Sequence, residues 1–324
     1  MNSYNNETMN ITERMIKIIS KKLLCLLFLF LLLPGLLSAD DKRKIMVINS
    51  DASVEKYREV QEEFHKAISY PIPVTEIRLE DRRRTISEID ALLDDKDYCV
   101  VYCIGTKAYL IANKYADEKP VIFSSVINWL RLPVTERTYG VSNELHTGMQ
   151  LMLFRYIFPK IQKLGVLYSR QYTGEWFKKT VEAAKEMNVE IIGHAVSDGN
   201  DAVTKLQKLL PDIQAFWLIS DPMVMSDKKN LFKILKQCDT KKTPVFSYHG
   251  VFAKYGAILV VSADNPTIGR QAAGIAEELL SGRKPAEKVQ FPAGSHIILN
   301  LKKVKEYGLQ YSEDALGSVN QVIE

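Results

Sequence analysis

The groups in this chain best placed for chemistry are hydroxyls and carboxylates that directly follow apolar runs. They are Ser50-Asp51, Gly105-Thr106, Ser124-Ser125, Ser169-Arg170, Ser220-Asp221, Tyr248-His249 and Asp264-Asn265. Such groups donate and accept hydrogen bonds, and they suit the capture of a small polar molecule better than bond-making. Ser50, Thr106, Ser125, Ser169, Tyr172, Asp221, Tyr248 and Asp264 are the residues expected to touch ligand. The competing reading is that polar residues after strands face water or cap the next helix. Catalysis has little support. There is no HExxH helix, no phosphate-binding P-loop and no G-x-S-x-G elbow. Histidines 65, 146, 194, 249 and 296 are scattered through unrelated elements, and only His249 falls at an expected site edge. No metal, no cofactor and no catalytic residue is expected.

Thiols offer no better case. Cys25 lies inside an apolar N-terminal run, which leaves Cys99, Cys103 and Cys238. Four residues along a strand separate Cys99 from Cys103 by about 13 Å, beyond disulfide reach. Buried free thiols are expected. A two-domain racemase with one cysteine per half is the best enzyme alternative, but it would need its thiols at strand ends. Cys99 lies mid-strand and Cys238 sits by a helix end.

Something must hold those polar residues together. The chain has 324 residues, 46% hydrophobic and 25% charged, an ordinary globular composition that leaves room for about two domains. Strands are predicted at Ile45–Ile48, Ile72–Leu79, Tyr98–Ile104, Val121–Ser124, Leu164–Tyr168, Val189–Ala195, Ala215–Ile219, Val245–Ser247 and Ile258–Ser262. Amphipathic segments lie between most of them. Thr85-Ile-Ser-Glu88 is a capping box, and Asn265 before Pro266 reads as an N-cap. Strands alternating with helices of this length imply an α/β fold with parallel sheets. The halves also match each other. Lys44–Ser50 resembles Lys163–Ser169, Asp97–Thr106 resembles Asp212–Asp221, and Pro120-Val121 resembles Pro244-Val245, at offsets of 119, 115 and 124 residues. Two duplicated, doubly wound parallel-sheet domains are expected, with a cleft between them.

In such sheets ligands bind beyond the carboxyl ends of the strands, where helix N-termini point. Two edges facing each other would close on a solute by a hinge. Thr106 and Asp221 occupy equivalent positions in the two halves. Thr106, preceding a helix predicted at Lys107–Tyr115, would take a carboxylate, and Asp221 would take an ammonium. An amino acid is therefore the leading ligand class. Trp129, Tyr168, Tyr172, Trp176 and Tyr248 fall near the same loops and could sandwich an apolar ligand group.

The N-terminus reads as an address. Leu23–Leu33 is an unbroken apolar run behind Arg14, Lys17, Lys21 and Lys22, and Ser38-Ala39 precede a polar stretch. That is a secretory signal peptide over 1–39, cut after Ala39, with an uncleaved anchor as the alternative. Translation from Met15 in place of Met1 would give a more ordinary basic head. Without residues 1–39, 39 basic and 37 acidic residues remain, a balance that gives no electrostatic case for nucleic acid.

From Gly140-Val-Ser142 to about Leu309 the chain resembles the ABC-transporter substrate-binding protein family that includes tryptophan- and tyrosine-binding lipoproteins. The resemblance rests on Gly140-Val-Ser142, Gln150 on a helix ending at Pro159, and Lys163–Tyr168. It continues through Thr243-Pro-Val-Phe246, Gly269–Gly274, Leu279–Pro285 and Asn300-Leu-Lys-Lys, with Ile104-Gly-Thr106 and Pro120–Phe123 upstream. It implies a type I periplasmic binding protein fold whose chain crosses between lobes near residues 143, 263 and 295. The lobes would be 40–143 plus 263–294 and 144–262 plus 295–324. It also implies a small-molecule ligand, an amino acid or similar polar solute, handed to an inner-membrane ABC permease; a monomer is expected, in the periplasm where the signal peptide would deliver it. No lipobox cysteine is present, which favours a soluble periplasmic form over a lipid-tethered one. Tyr248-His249 stands where many relatives carry a small or acidic residue, so the ligand is expected to differ from theirs. A periplasmic sensory protein docking on a membrane kinase or chemoreceptor is the alternative to transport.

Overall fold

The structure is a computed structural model that describes residues 43–69, 72–81 and 84–324. The expected signal segment lies outside them. The chain begins β1 (Lys44–Asn49), α1 (Glu55–Ala67), β2 (Val74–Arg78), α2 (Ile86–Leu93), β3 (Tyr98–Ile104), α3 (Thr106–Tyr115), β4 (Val121–Ser124) and β5 (Thr138–Val141). It continues α4 (Thr147–Ile157), β6 (Lys163–Tyr168), α5 (Gly174–Glu186), β7 (Glu190–Ala195), α6 (Gly199–Leu209), β8 (Ala215–Leu218), α7 (Lys228–Thr240), β9 (Val245–Ser247) and β10 (Leu259–Ala263). The remainder is α8 (Asn265–Leu280), β11 (Val289–Gln290), β12 (Ser295–Asn300), α9 (Leu301–Tyr307) and β13 (Gln321–Ile323).

The strands form two sheets, ordered β11-β5-β4-β3-β1-β2 and β13-β12-β10-β9-β8-β6-β7. In each, the first strand of the half sits between the second and third, so β2-β1-β3-β4-β5 and β7-β6-β8-β9-β10 share one topology. The matched sequences fall on equivalent strands: β1 with β6, β3 with β8, β4 with β9. All pairings in the first sheet are parallel. The second departs from the expected all-parallel arrangement, because β12 runs antiparallel to β10.

Composition explains the layering. Tyr98-Cys-Val-Val-Tyr-Cys-Ile104 is almost wholly buried, as a central parallel strand covered by helices on both faces must be. Phe64 of α1 stacks on Tyr102 at 4.3 Å between ring centroids, while Tyr109 of α3 meets Phe123 from the other side at 5.2 Å. In the second sheet, Phe154 of α4 packs on Trp217 and Phe246 at 5.1 and 5.0 Å. Gly140 belongs to this packing. A Cβ there would stand 2.7 Å from the Phe123 ring, which no side chain could tolerate unmoved.

The chain passes between the sheets three times: after β5, after β10 and after β11. The second passage sends α8 back to the first sheet. There Asn265 donates to Glu59 of α1 at 2.8 Å and Arg270 donates to Glu63 at 2.7 Å. The helix begins one residue earlier than the sequence suggested. Asp264, not Asn265, is its N-cap, accepting from the Thr267 amide at 2.9 Å, and Pro266 takes the second helical position. The Thr85–Glu88 capping box forms as expected. β5, β11, β12 and β13 were not foreseen. Cys99, Cys103 and Cys238 are free thiols.

Candidate functional site

On the first sheet the carboxyl edge is built around the β1–β3 switch point. Ser50 Oγ accepts from the Ala108 amide in the first turn of α3 at 3.0 Å. It supplies the cap that Gly105 cannot. Gly105 holds φ at 86°, and a Cβ there would come 2.7 Å from Ser50 Oγ. One amide expected to be free for a carboxylate is therefore occupied. Thr106 is the first residue of α3 and not its cap, and its half-buried hydroxyl has no partner among the described residues. Ser125, after β4, is fully buried with φ at 54°, and its Oγ has no partner.

On the second sheet Asp221 is wholly buried and saturated. Its Oδ2 accepts from the Ser169 amide at 2.8 Å, the Ser169 hydroxyl at 2.7 Å and the Thr173 hydroxyl at 2.5 Å. Its Oδ1 accepts from the Met223 and Val224 amides at 2.8 and 3.1 Å. Both oxygens of Asp221, the residue expected to receive an ammonium, are thus engaged within the protein. Its carboxylate ties the loop after β6 to the loop after β8, and Ser169 is spent in the same network. Asp264 is likewise occupied, by the Thr267 amide and hydroxyl.

The groups left to meet a solute include several that sequence reasoning passed over. Lys56, in the first turn of α1, has its pKa lowered by desolvation. The N-cap position before it is Val54, which offers the helix no side-chain cap. His249, from the loop after β9, has its pKa lowered by desolvation and then by the Lys56 charge. Residues from the two carboxyl edges thus feel each other directly. His249 is nonetheless exposed to solvent. Its Nδ1 accepts from the Val251 amide at 3.1 Å, which caps the short helical turn that follows.

Beside it, Tyr248 has its pKa raised by burial and by the nearby Glu144 charge, with a bond to Ser220 acting the other way. Glu144 lies on the crossover after β5, where desolvation raises its own pKa and a bond from the Asn128 amide acts the other way. At another point between the edges, the Arg131 guanidinium lies over the Tyr172 ring. Arg131 thus contacts Tyr172, the Lys56 charge reaches His249 and the Glu144 charge reaches Tyr248, with Ser125 on a loop bonded to Glu144 through Asn128. The structure commits Ser50, Ser169, Asp221 and Asp264 to local structure. One signal for Glu144 was available, its place two residues past Gly140-Val-Ser142. Lys56 and Arg131 carry no such mark.

Burial pushes the Cys103 thiol up and the Cys238 thiol up to about 12, so neither supplies a thiolate for racemase chemistry. Among the described residues no group of three metal-ligating side chains converges.

Comparison with known proteins identifies the family and the fold. A family model described as ABC transporter substrate binding protein matches residues 45–323. No curated protein matches the chain. Among solved structures, the ABC domain from Streptococcus pneumonia in complex with L-Trp is 18% identical, with a TM-score of 0.57, covering 86% of this chain and 100% of that one. CD0873, a substrate binding protein with adhesive properties from Clostridium difficile in a ligand-free, open structure, is 17% identical with a TM-score of 0.67, covering 86% and 99%. A conserved domain protein from Vibrio cholerae is 16% identical with a TM-score of 0.57, covering 87% and 100%.

Proposed function

We propose a function from one premise: this chain belongs to the ABC transporter substrate binding protein family. Its role is solute binding, with a membrane ABC permease as the partner that membership implies. The finer reading is ours. The protein is exported, works in the periplasm as a monomer, and captures an amino acid or related small polar solute between two lobes. Those lobes are 40–143 plus 263–294 and 144–262 plus 295–324. Support comes from the strand distribution, since β1–β5 and β11 share one sheet and β6–β10, β12 and β13 the other.

The observation that carries the reading is the contact of Arg131 with the Tyr172 ring across the two carboxyl edges, near which the Lys56 charge also reaches His249. Lys56 and His249 are both donors, one cationic, and both are partly stripped of water. An anionic or acceptor end of a solute placed between them would be held by both sheets at once. Binding then rewards closure. The L-Trp in the Streptococcus pneumonia structure puts amino acids first among the solutes to try.

The test is a thermal-shift screen of amino acids, nucleosides, sugars and small organic acids, followed by calorimetry on any hit. A solute at 100 times its Kd stabilises by about 2.7 kcal/mol, a shift that is easily read. Lys56→Met should abolish the response to an anionic hit. A screen without a single hit would overturn solute capture as the function.

A further inference from the structure

Two acceptors between the sheets lack donors. The Asn128 amide donates to Glu144 Oε1 at 3.2 Å, but Oε2 is sealed from water and has no partner. Ser125 is fully buried in the loop after the neighbouring strand β4, and its Oγ is also unpartnered. The same Asn128 amide ties that loop to Glu144. Folded proteins leave few buried polar atoms without partners, and an unpaired buried carboxylate oxygen is among the costliest to leave. Here a carboxylate and a hydroxyl remain open on adjoining loops, in a chain whose function is to take up a solute.

Their chemistry selects the missing donor. A neutral hydroxyl would satisfy a lone pair but leave the buried negative charge uncompensated. A metal ion would require further oxygen ligands, and no set of three ligating side chains gathers among the described residues. A cationic nitrogen answers both needs through a charge-assisted hydrogen bond. Resting on the solute-binding reading above, we infer that Glu144 and Ser125 anchor a protonated amine of the solute at the crossover between the sheets. Desolvation, which disfavours the bare carboxylate, is the penalty that such a cation relieves. Glu144 and Ser125 lie on the crossover after β5 and the loop after β4, so the amine of the solute would lie toward the crossover.

The experiment uses solutes that differ only by the amine: L-tryptophan against indole-3-propionate, L-tyrosine against 3-(4-hydroxyphenyl)propionate, L-leucine against 4-methylpentanoate. D-fucose and D-arabinose serve as amine-free solutes of another class. Calorimetry on wild-type protein, Glu144→Gln and Ser125→Ala gives affinities, and unfolding midpoints are measured beside them. The expected result is that a tight binder carries the amine and its partner without it binds poorly. Glu144→Gln should then weaken the amine form by about 10- to 150-fold and leave the amine-free form unchanged. Ser125→Ala should cost less. If Glu144→Gln fails to fold, Glu144→Asp retains the charge and shortens its reach, and it should weaken only the amine form. The inference falls if the tightest binder lacks a cationic nitrogen, or if the affinity of the amine form survives Glu144→Gln. Solute capture would stand in both cases. If none of the amine or amine-free solutes, nor any in the wider screen, binds the wild-type protein, the solute-binding reading itself falls.

Discussion

The Arg131 guanidinium lies 4.1 Å from the centroid of the Tyr172 ring, so a side chain from the loop after β4 rests on one from the loop after β6. The two loops belong to different sheets, and the contact bridges the gap between them. Cation–π pairs at exposed sites contribute roughly 0.5–1 kcal/mol. Arg131→Ala should shift the balance between closed and open forms about two- to five-fold toward open. Small-angle scattering on ligand-free protein should then report a larger radius of gyration, and Tyr172→Phe should leave it unchanged. An equal radius in Arg131→Ala and wild type would show that the pair does not hold the sheets together.

Asp221 is expected to matter for folding and not for affinity. Removing its carboxylate strands two hydroxyls and three amides, most of them buried, and each unsatisfied group costs about 1–3 kcal/mol before relaxation. Asp221→Ala should lose at least about 3 kcal/mol in urea unfolding. Any folded fraction should bind solute with wild-type affinity. A stable variant that had lost its affinity would return Asp221 to the ligand site.

Glu144 and His249 should give opposite slopes to stability against pH. The folded pKa of Glu144 is raised above its ordinary 4.5, so the folded protein holds a proton that the unfolded chain has lost. Its contribution to stability therefore improves as pH falls through the folded pKa toward 4.5. His249 is lowered from 6.5, so acidification through that value protonates the unfolded chain first and stability declines. Unfolding measured between about pH 8 and pH 4.5 should show Glu144→Gln losing ground to wild type on acidification, and His249→Asn gaining. Parallel curves for wild type and either variant would refute the assignment for that residue.

Gly140→Ala tests the packing that closes the first sheet. The new methyl meets the Phe123 ring, and overpacking of this kind typically costs 1–3 kcal/mol. The double variant Gly140→Ala, Phe123→Leu should recover part of that loss. If the single variant is as stable as wild type, the close approach does not constrain this position.

Much of the scaffold could be read because it is written in long apolar runs. Tyr98–Ile104 and Val121–Ser124 are strands over those same residues, and the matched segments of the halves fall on equivalent strands. Short or mixed strands gave no such signal. Thr138-Tyr-Gly-Val141 is four residues, and Ser295-His-Ile-Ile-Leu-Asn300 opens with two polar ones. The site was harder to see, because function there depends on which polar groups are already satisfied. Ser169 and Thr173 lie 52 and 48 residues from the Asp221 they saturate, a distance over which local pattern carries no information. Thr106 and Asp221 are equivalent in position, but one hydroxyl is open and the other carboxylate is filled. Glu144 draws notice only once the fold is seen, because burial leaves one of its oxygens without a partner beside the unpartnered Ser125 hydroxyl.

The three passages between the sheets also set a timetable for synthesis. The first sheet begins with Lys44, yet its covering helix α8 ends at Leu280 and its edge strand β11 at Gln290. A ribosome delivering the chain from its N-terminus cannot complete that half until most of the second half has emerged. The early strands must wait, exposed, for parts made last. A chain held open for so long remains a substrate for chaperones. The interlaced path that fastens the finished sheets together thus also delays the moment at which the nascent chain can lock itself shut.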